Sequence, residues 1–183
     1  MWRDIFVTII QLIVASPSAW KEIDKEDKSQ NDFVGRFLHP VIGIIALAAF
    51  IGGMWFTRDG GLQGALKSAI INVVSIYGGF YISSYAINEA APRFGLSKNL
   101  ARFQKFTGYS SVVVFALYMI VPFLSDFFIL WLLVLYTLYV VQTGALFFLN
   151  VSAGKRLNFT LLASALIILA PAVIRGLFSF LIK

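Results

Sequence analysis

Cysteine is absent from the 183 residues, and histidine occurs once, at His39. The first absence removes disulfides, thiolate metal sites and cysteine nucleophiles. The second leaves no imidazole pair, and a lone histidine forms a metal cluster only with carboxylate help. Charge is also scarce. Asp, Glu, Lys and Arg make up 13% of the chain, about half the share of an ordinary soluble domain. The sequence lacks a glycine-rich phosphate loop, a nucleophile elbow and a buried acidic pair, so it reads as a non-enzyme without a cofactor or metal. Its basic residues are scattered between apolar runs, which argues against nucleic acid as a partner.

What fills the chain instead is apolar residue, 59% of the total. A soluble domain runs nearer 45–50%. A single core cannot hide that excess beneath a polar surface, but lipid accommodates it. The expected fold is therefore an all-α integral membrane protein. The net charge of +6 must gather in the loops, where anionic lipid headgroups attract it.

Charged residues bracket the spans, because each costs about 2.5–3.5 kcal/mol at a helix centre on insertion scales. Uncharged runs of 21, 21, 20, 28 and 18 residues lie between Arg36 and Arg58, Lys67 and Glu89, Lys105 and Asp126, Asp126 and Lys155, and Arg156 and Arg175. Each is long enough to cross about 30 Å of hydrocarbon at 1.5 Å per residue. None alternates with period two, so helices are expected rather than barrel strands. The five spans fall at roughly Leu38–Phe56, Ala69–Asn88, Thr107–Leu124, Phe127–Leu149 and Phe159–Ile182. Residues 1–36 form a cytoplasmic or interfacial segment, and residues 37–183 the five-helix domain. Ser125–Asp126 leaves room only for a tight hairpin, with Asp126 capping the fourth span.

Eleven Lys and Arg residues precede the first span or lie in the loops after the second and fourth, against four on the opposite side. The positive-inside rule then places the N-terminus in the cytoplasm and the C-terminus outside. This fits a bacterial inner membrane. The early Asp4 and the short Ile5–Ala15 run do not make a cleavable signal peptide, so an uncleaved, membrane-bound N-terminus is expected.

In that segment Trp2, Ile5, Phe6, Ile9, Leu12 and Ile13 recur at helical spacing, with Arg3, Asp4, Thr8 and Gln11 mostly opposite. The pattern fits an amphipathic helix in the interface or a helix packed under the bundle. Ser16-Pro17 looks like a capped helix start, with Trp20 and Ile23 near the headgroups. Lys21–Asp32, with three lysines and five acidic residues, reads as a solvated helix end or linker. Farther on, Lys98, Arg102 and Lys105 share one helical face behind a Ser97 cap. They are candidate anionic-lipid contacts, or simply topology-setting charge.

Within the spans, small residues mark where helices touch: Ser75, Gly79 and Ser83, the pairs Ala48/Gly52 and Ala49/Gly53, and Ala172/Gly176. A homo-oligomer seam is the alternative. Pro122 and Pro171 each remove a helical hydrogen bond and are expected to kink their spans, or to act as hinges. Arg175 is the clear ionisable group within a span, a functional candidate or a side chain that snorkels or pairs with carbonyls. His39-Pro40 opens the first span. Asn72, Tyr77, Tyr109, Tyr118, Gln142 and Thr143 either line a small cavity or bond between helices.

The pattern resembles the Yip family, the Ypt/Rab-interacting five-span membrane proteins. The stretch SPSAWKEI is similar to the proline-plus-tryptophan opening of bacterial members. TGYSSVVVFALYMIVP is similar to the glycine-tyrosine start and late proline of the third span, through Gly108, Tyr109, Ser110 and Pro122. Eukaryotic members carry a longer acidic cytosolic domain tied to GTPase binding, and an aspartate-leucine-x-glycine-proline motif entering the first span. Here that stretch is FLHP, so Rab binding is not carried over and the resemblance implies a prokaryotic-type member. The expected function is a non-catalytic membrane protein acting through lipid or protein contacts. The competing reading is a small-solute or ion transporter or channel, motivated by Pro122, Pro171 and Arg175.

Overall fold

The computed structural model describes residues 2–56, 61–124 and 132–181. Among them every regular element is helical, and there is no strand. The expected Ser125–Asp126 turn and Asp126 cap lie outside the described residues, as do Arg58 and Lys183 of the charge count.

Helix α1 (Trp2–Val14) turns at Ala15 into α2 (Ser16–Glu26). Ser16 is not the cap. Ala15 holds that position, and the Ser16 hydroxyl instead meets the Thr143 hydroxyl at 2.6 Å. A short helix α3 (Gln30–Phe33), capped by Ser29, enters a π turn over Val34–Leu38 and continues as α4 (His39–Trp55). Pro40 explains the π turn. Its ring would strike the carbonyl four residues back and it has no N–H to offer. The ladder slips by one residue just before it, and the His39 N–H reaches back to Val34.

Helix α5 (Leu62–Ala90) is central and packs against α4, α6 (Leu100–Ser110) and α9 (Ala153–Leu181). Asn99, not Ser97, caps α6, its side chain accepting from the Arg102 N–H at 3.1 Å. The chain bends by 44° between α6 and α7 (Val112–Ile120). The bend falls at Ser111, not at Pro122. The Ser111 N–H is shared between the carbonyls of Thr107 and Gly108, and its hydroxyl donates to Thr107 at 2.7 Å. A serine bonding back onto its own helix is a known cause of bending. Pro122 sits later, in the 3-10 turn Val121–Phe123 that ends the helix. A second such turn, Leu133–Tyr136, leads into α8 (Thr137–Phe147).

Small residues set the helix contacts. A Cβ on Gly52 would collide with Pro122, and one on Gly79 would lie 2.5 Å from Pro171 Cγ. Gly53 faces Ala65, and Gly78 faces Ile174. Ala48, Ala49, Ser75 and Ser83 are buried beside them. Ala172 and Gly176 do not join this packing: both are exposed, and nothing approaches Gly176.

Large apolar side chains also cover the outside, among them Leu47, Ile51, Leu66, Ile70, Leu161, Leu169, Val173 and Leu177. A helix apolar on its packed and open faces alike belongs in lipid. Gln30–Trp55, Leu62–Phe94 and Ala153–Leu181 are each long and apolar enough to cross a membrane. The bent pair Leu100–Ser110 and Val112–Phe123 makes a fourth if it acts as one span. The apolar helix Leu133–Phe147 is shorter.

Candidate functional site

The N-terminal segment is built into the charged end of the bundle by two aromatic side chains, Trp20 and Phe33. Both are fully buried. Trp20 therefore does not face headgroups. Its ring lies 5.7 Å from Phe106 and 5.4 Å from Phe148, and its indole N–H donates to the Val140 carbonyl at 3.1 Å. The space it fills is left by Gly144, where a Cβ would come within 2.7 Å of the indole. Phe33 occupies the space above Gly108 and packs on Phe37, Phe80 and Tyr109, with centroids 5.8, 6.3 and 5.0 Å away. Rings at such separations contribute beyond their buried area.

Ion pairs then tie α2 and its exit to α6. Asp24 pairs with Arg102 at 3.0 Å, and Asp27 pairs with Lys105 at 3.3 Å. The second pair lies three residues beyond the first on both segments. Gln30 bonds Gln104, and Lys105 also donates to the Lys28 carbonyl at 2.9 Å. Arg102 bonds the Phe148 carbonyl as well, with its guanidinium 4.5 Å from that ring's centroid. Lys98 pairs with Glu89. The acidic stretch is thus not a free linker, and all three basic candidates, Lys98 before α6 and Arg102 and Lys105 on it, have carboxylate partners within the chain.

Helix α1 shows three arcs. Ile5, Ile9 and Leu12 are buried against the bundle. Phe6, Val7, Ile10 and Val14 are apolar and exposed. Asp4, Thr8 and Gln11 form a polar arc between clefts. One cleft, about 390 Å³, separates α1 from the Glu22, Glu26 and Lys28 side of the following segment. The other, about 300 Å³, is lined by Asp4, Ile5, Thr8, Lys28, Asp32, Arg36, Phe37 and Tyr109.

Of the residues singled out from sequence, Gly108, Tyr109 and Ser110 meet here. Tyr109 is 4% exposed, touches Trp20, Phe33 and Phe37, and has no hydrogen bond to its hydroxyl among the described residues. The Ser110 hydroxyl is buried and likewise without a partner. His39 is exposed and stands edge-on to Tyr77 at 5.9 Å, beside Pro40. Pro122, Pro171 and Arg175 lie elsewhere. Arg175 places its guanidinium 5.5 Å from the centroid of the buried Tyr118 ring. Near Pro171, the Ser83 hydroxyl donates to the Leu166 carbonyl at 2.8 Å. Inside the bundle, Ile76, Gly79, Ser83, Ser111 and Pro171 border a void of about 10 Å³, the room of one water. Among the described residues no group of three or more metal-ligating side chains comes together.

Sequence reasoning missed Phe33, Gly144 and the Asp24 and Asp27 pairs. A signal was present for the last. The acidic spacing Asp24, Asp27 matches the basic spacing Arg102, Lys105.

Helices of spanning length, apolar inside and out, with charge confined to their ends, define an α-helical membrane protein. A family model described as the Yip1 domain matches residues 10–174. The chain therefore belongs to the Yip family. No curated protein and no solved structure matches it.

Proposed function

We propose that this protein is a non-catalytic organiser of the membrane, acting by seating the α1–α2 hairpin in one leaflet. In this reading the chain crosses a bacterial inner membrane five times, with Leu133–Phe147 in the fourth crossing. The N-terminus is cytoplasmic and the C-terminus outside, as the basic residues favour.

The observation that carries the reading is the open apolar arc of α1, Phe6, Val7, Ile10 and Val14, on a helix whose other side is fixed to the bundle. The hairpin tip supports it. Ser16 meets Thr143, which lies about 6 Å along α8 from its end at Phe147. Tyr136, at the end of the turn that leads into α8, donates to the Ile13 carbonyl at 2.7 Å, roughly 10 Å beyond Thr143. The tip thus reaches at least the depth of an interfacial wedge, about 5–10 Å below the headgroups. An apolar wedge held by a rigid bundle expands one leaflet against the other.

The test is reconstitution into liposomes of defined size. The wild-type protein should enrich in the most curved vesicles, or narrow them. Replacing Phe6, Val7, Ile10 and Val14 together by serine should abolish this while leaving the protein inserted. Identical distributions for the two proteins would overturn the proposal.

A further inference from the structure

The basic residues of the charged end are unequally matched. Lys28, Arg36, Lys98, Arg102 and Lys105 each meet a carboxylate. Arg93 and Lys155 are exposed and meet none among the described residues. Both belong to one place. Arg93 lies in the 3-10 turn Ala91–Phe94 that follows α5, and Lys155 lies in the first turn of α9. Phe94 stands edge-on to Phe159 of α9 at 5.2 Å, which holds the turn against that helix. The Lys155 ammonium reaches over the turn, 3.8 Å from where a Cβ on Gly95 would sit.

Arg156 adds a third cation. It holds the Val151 carbonyl through Nε and Nη2, at 3.3 and 3.1 Å. A guanidinium has five N–H donors, so part of its fork stays open. No carboxylate is at hand to balance this edge. Glu89, the sole acidic residue between Asp59 and Asp126, is held by Lys98, and none follows Asp126 in the sequence. The cations are also placed before any ligand arrives. The Gly95 and Leu96 N–H groups close the turn on the Pro92 and Ala91 carbonyls, at 3.1 Å each. A fixed frame lowers the ordering cost of binding.

Position and charge together select the ligand. Arg93 ends one helix of spanning length, Leu62–Phe94, and Lys155 begins another, Ala153–Leu181. Leu162 lies seven residues beyond Lys155 on the same helical face and is exposed, as is Leu161 beside it. Cations above open apolar surface match a phosphate above an acyl chain. A zwitterionic headgroup would bring an amine to an edge with no free carboxylate to receive it, whereas an anionic one offsets the surplus. We propose that Arg93, Lys155 and Arg156 bind the phosphate of an anionic phospholipid, with its chains along Leu161 and Leu162. The basic residues of α6 instead serve the fold. The site rests on the membrane placement proposed above for the charged end.

Native mass spectrometry of the delipidated full chain tests it. The probes are phosphatidylglycerol, phosphatidylethanolamine with the same acyl chains, and water-soluble glycerophosphoglycerol. Phosphatidylglycerol should bind about tenfold more tightly than phosphatidylethanolamine, as for one charge-assisted hydrogen bond. The double variant Arg93→Gln/Lys155→Gln should abolish that preference. Lys155→Arg keeps the charge and should retain it. Arg3→Gln/Lys25→Gln removes the same charge from two exposed positions on the N-terminal hairpin and should also retain it.

Equal affinity for the two lipids would overturn the proposal. So would equal losses in the two double variants, which would assign the preference to overall charge. Glycerophosphoglycerol bound as tightly as the whole lipid would make this a site for a soluble phosphate ester and likewise overturn it. None of these variants alters Phe6, Val7, Ile10 or Val14, so the leaflet reading stands or falls by its own curvature assay.

Discussion

Phe33 occupies the volume that any side chain on Gly108 would need: a Cβ built there lies 2.3 Å from Phe33 Cζ. The ring cannot retreat, because Phe37, Phe80 and Tyr109 surround it and none of it is exposed. Gly108→Ala should therefore destabilise the protein by about 1–3 kcal/mol, the usual cost of overpacking. Thermal unfolding in detergent measures it. In the double variant with Phe33→Leu much of that loss should return, because the smaller side chain vacates the site. Strictly additive losses would mean that the two residues do not share the space.

Trp20 and Gly144 form the second such fit, and the tryptophan does two jobs there. Trp20→Phe keeps most of the volume and loses the hydrogen bond to the Val140 carbonyl, so it should cost about 1 kcal/mol. Trp20→Ala empties a fully buried site and should cost about 3–5 kcal/mol. Limited proteolysis gives an independent readout. The Ala variant should be cut in residues 14–30 under conditions where wild type stays intact, because the α1–α2 hairpin loses its anchor.

The two halves of the Asp24–Arg102 pair should not be equivalent. Asp24 and Arg102 side chains are 38% and 39% exposed, so the ion pair itself contributes at most about 1 kcal/mol. Asp24→Asn should then fall within that limit and weaken further at high salt. Arg102 also holds the Phe148 carbonyl and covers its ring, so Arg102→Ala should cost about 1.5–3 kcal/mol. The charge swap Asp24→Arg/Arg102→Asp should fail to restore stability. Full rescue by the swap would show that charge alone acts here.

These relationships explain which features were legible in the sequence. The apolar runs, the helical class and the contact role of Gly52, Gly79 and Ser83 follow from one-dimensional patterns, because lipid imposes the same demand along each run. The Gly108-Tyr109-Ser110 motif was also visible, though not its purpose, because Phe33 comes from a segment 75 residues away. The roles of Trp20 and of the acidic residues Asp24 and Asp27 are hidden for the same kind of reason. Tryptophan near a membrane end suggests headgroups, and an acidic stretch suggests solvent, until a glycine gap and a basic helix elsewhere in the chain accept them. Proline is the strongest local signal for a bend, so the sequence alone points to Pro122. Ser111 produces it through back-bonding, which composition does not reveal.

Arg175 separates the structural account from a transport role. Its guanidinium lies over the ring of Tyr118, a buried side chain on α7, so it joins α7 to α9 across the bundle. A cation over an aromatic face contributes about 0.5–2 kcal/mol, and more where water is excluded. Tyr118→Phe keeps the ring but gives up the hydroxyl's hydrogen bond to Arg175 and should cost about 0.5–1.5 kcal/mol, whereas Tyr118→Leu and Arg175→Met should each destabilise by at least about that amount. The combined variant should lose less than the sum, since each single change already breaks the contact. Proteoliposome flux gives the opposing outcome. A transport residue would show selective loss of solute or ion flux in Arg175→Lys, which keeps the charge but gives up the planar guanidinium over the ring. The structural role predicts no flux difference between wild type and Arg175→Lys, and only a modest stability change.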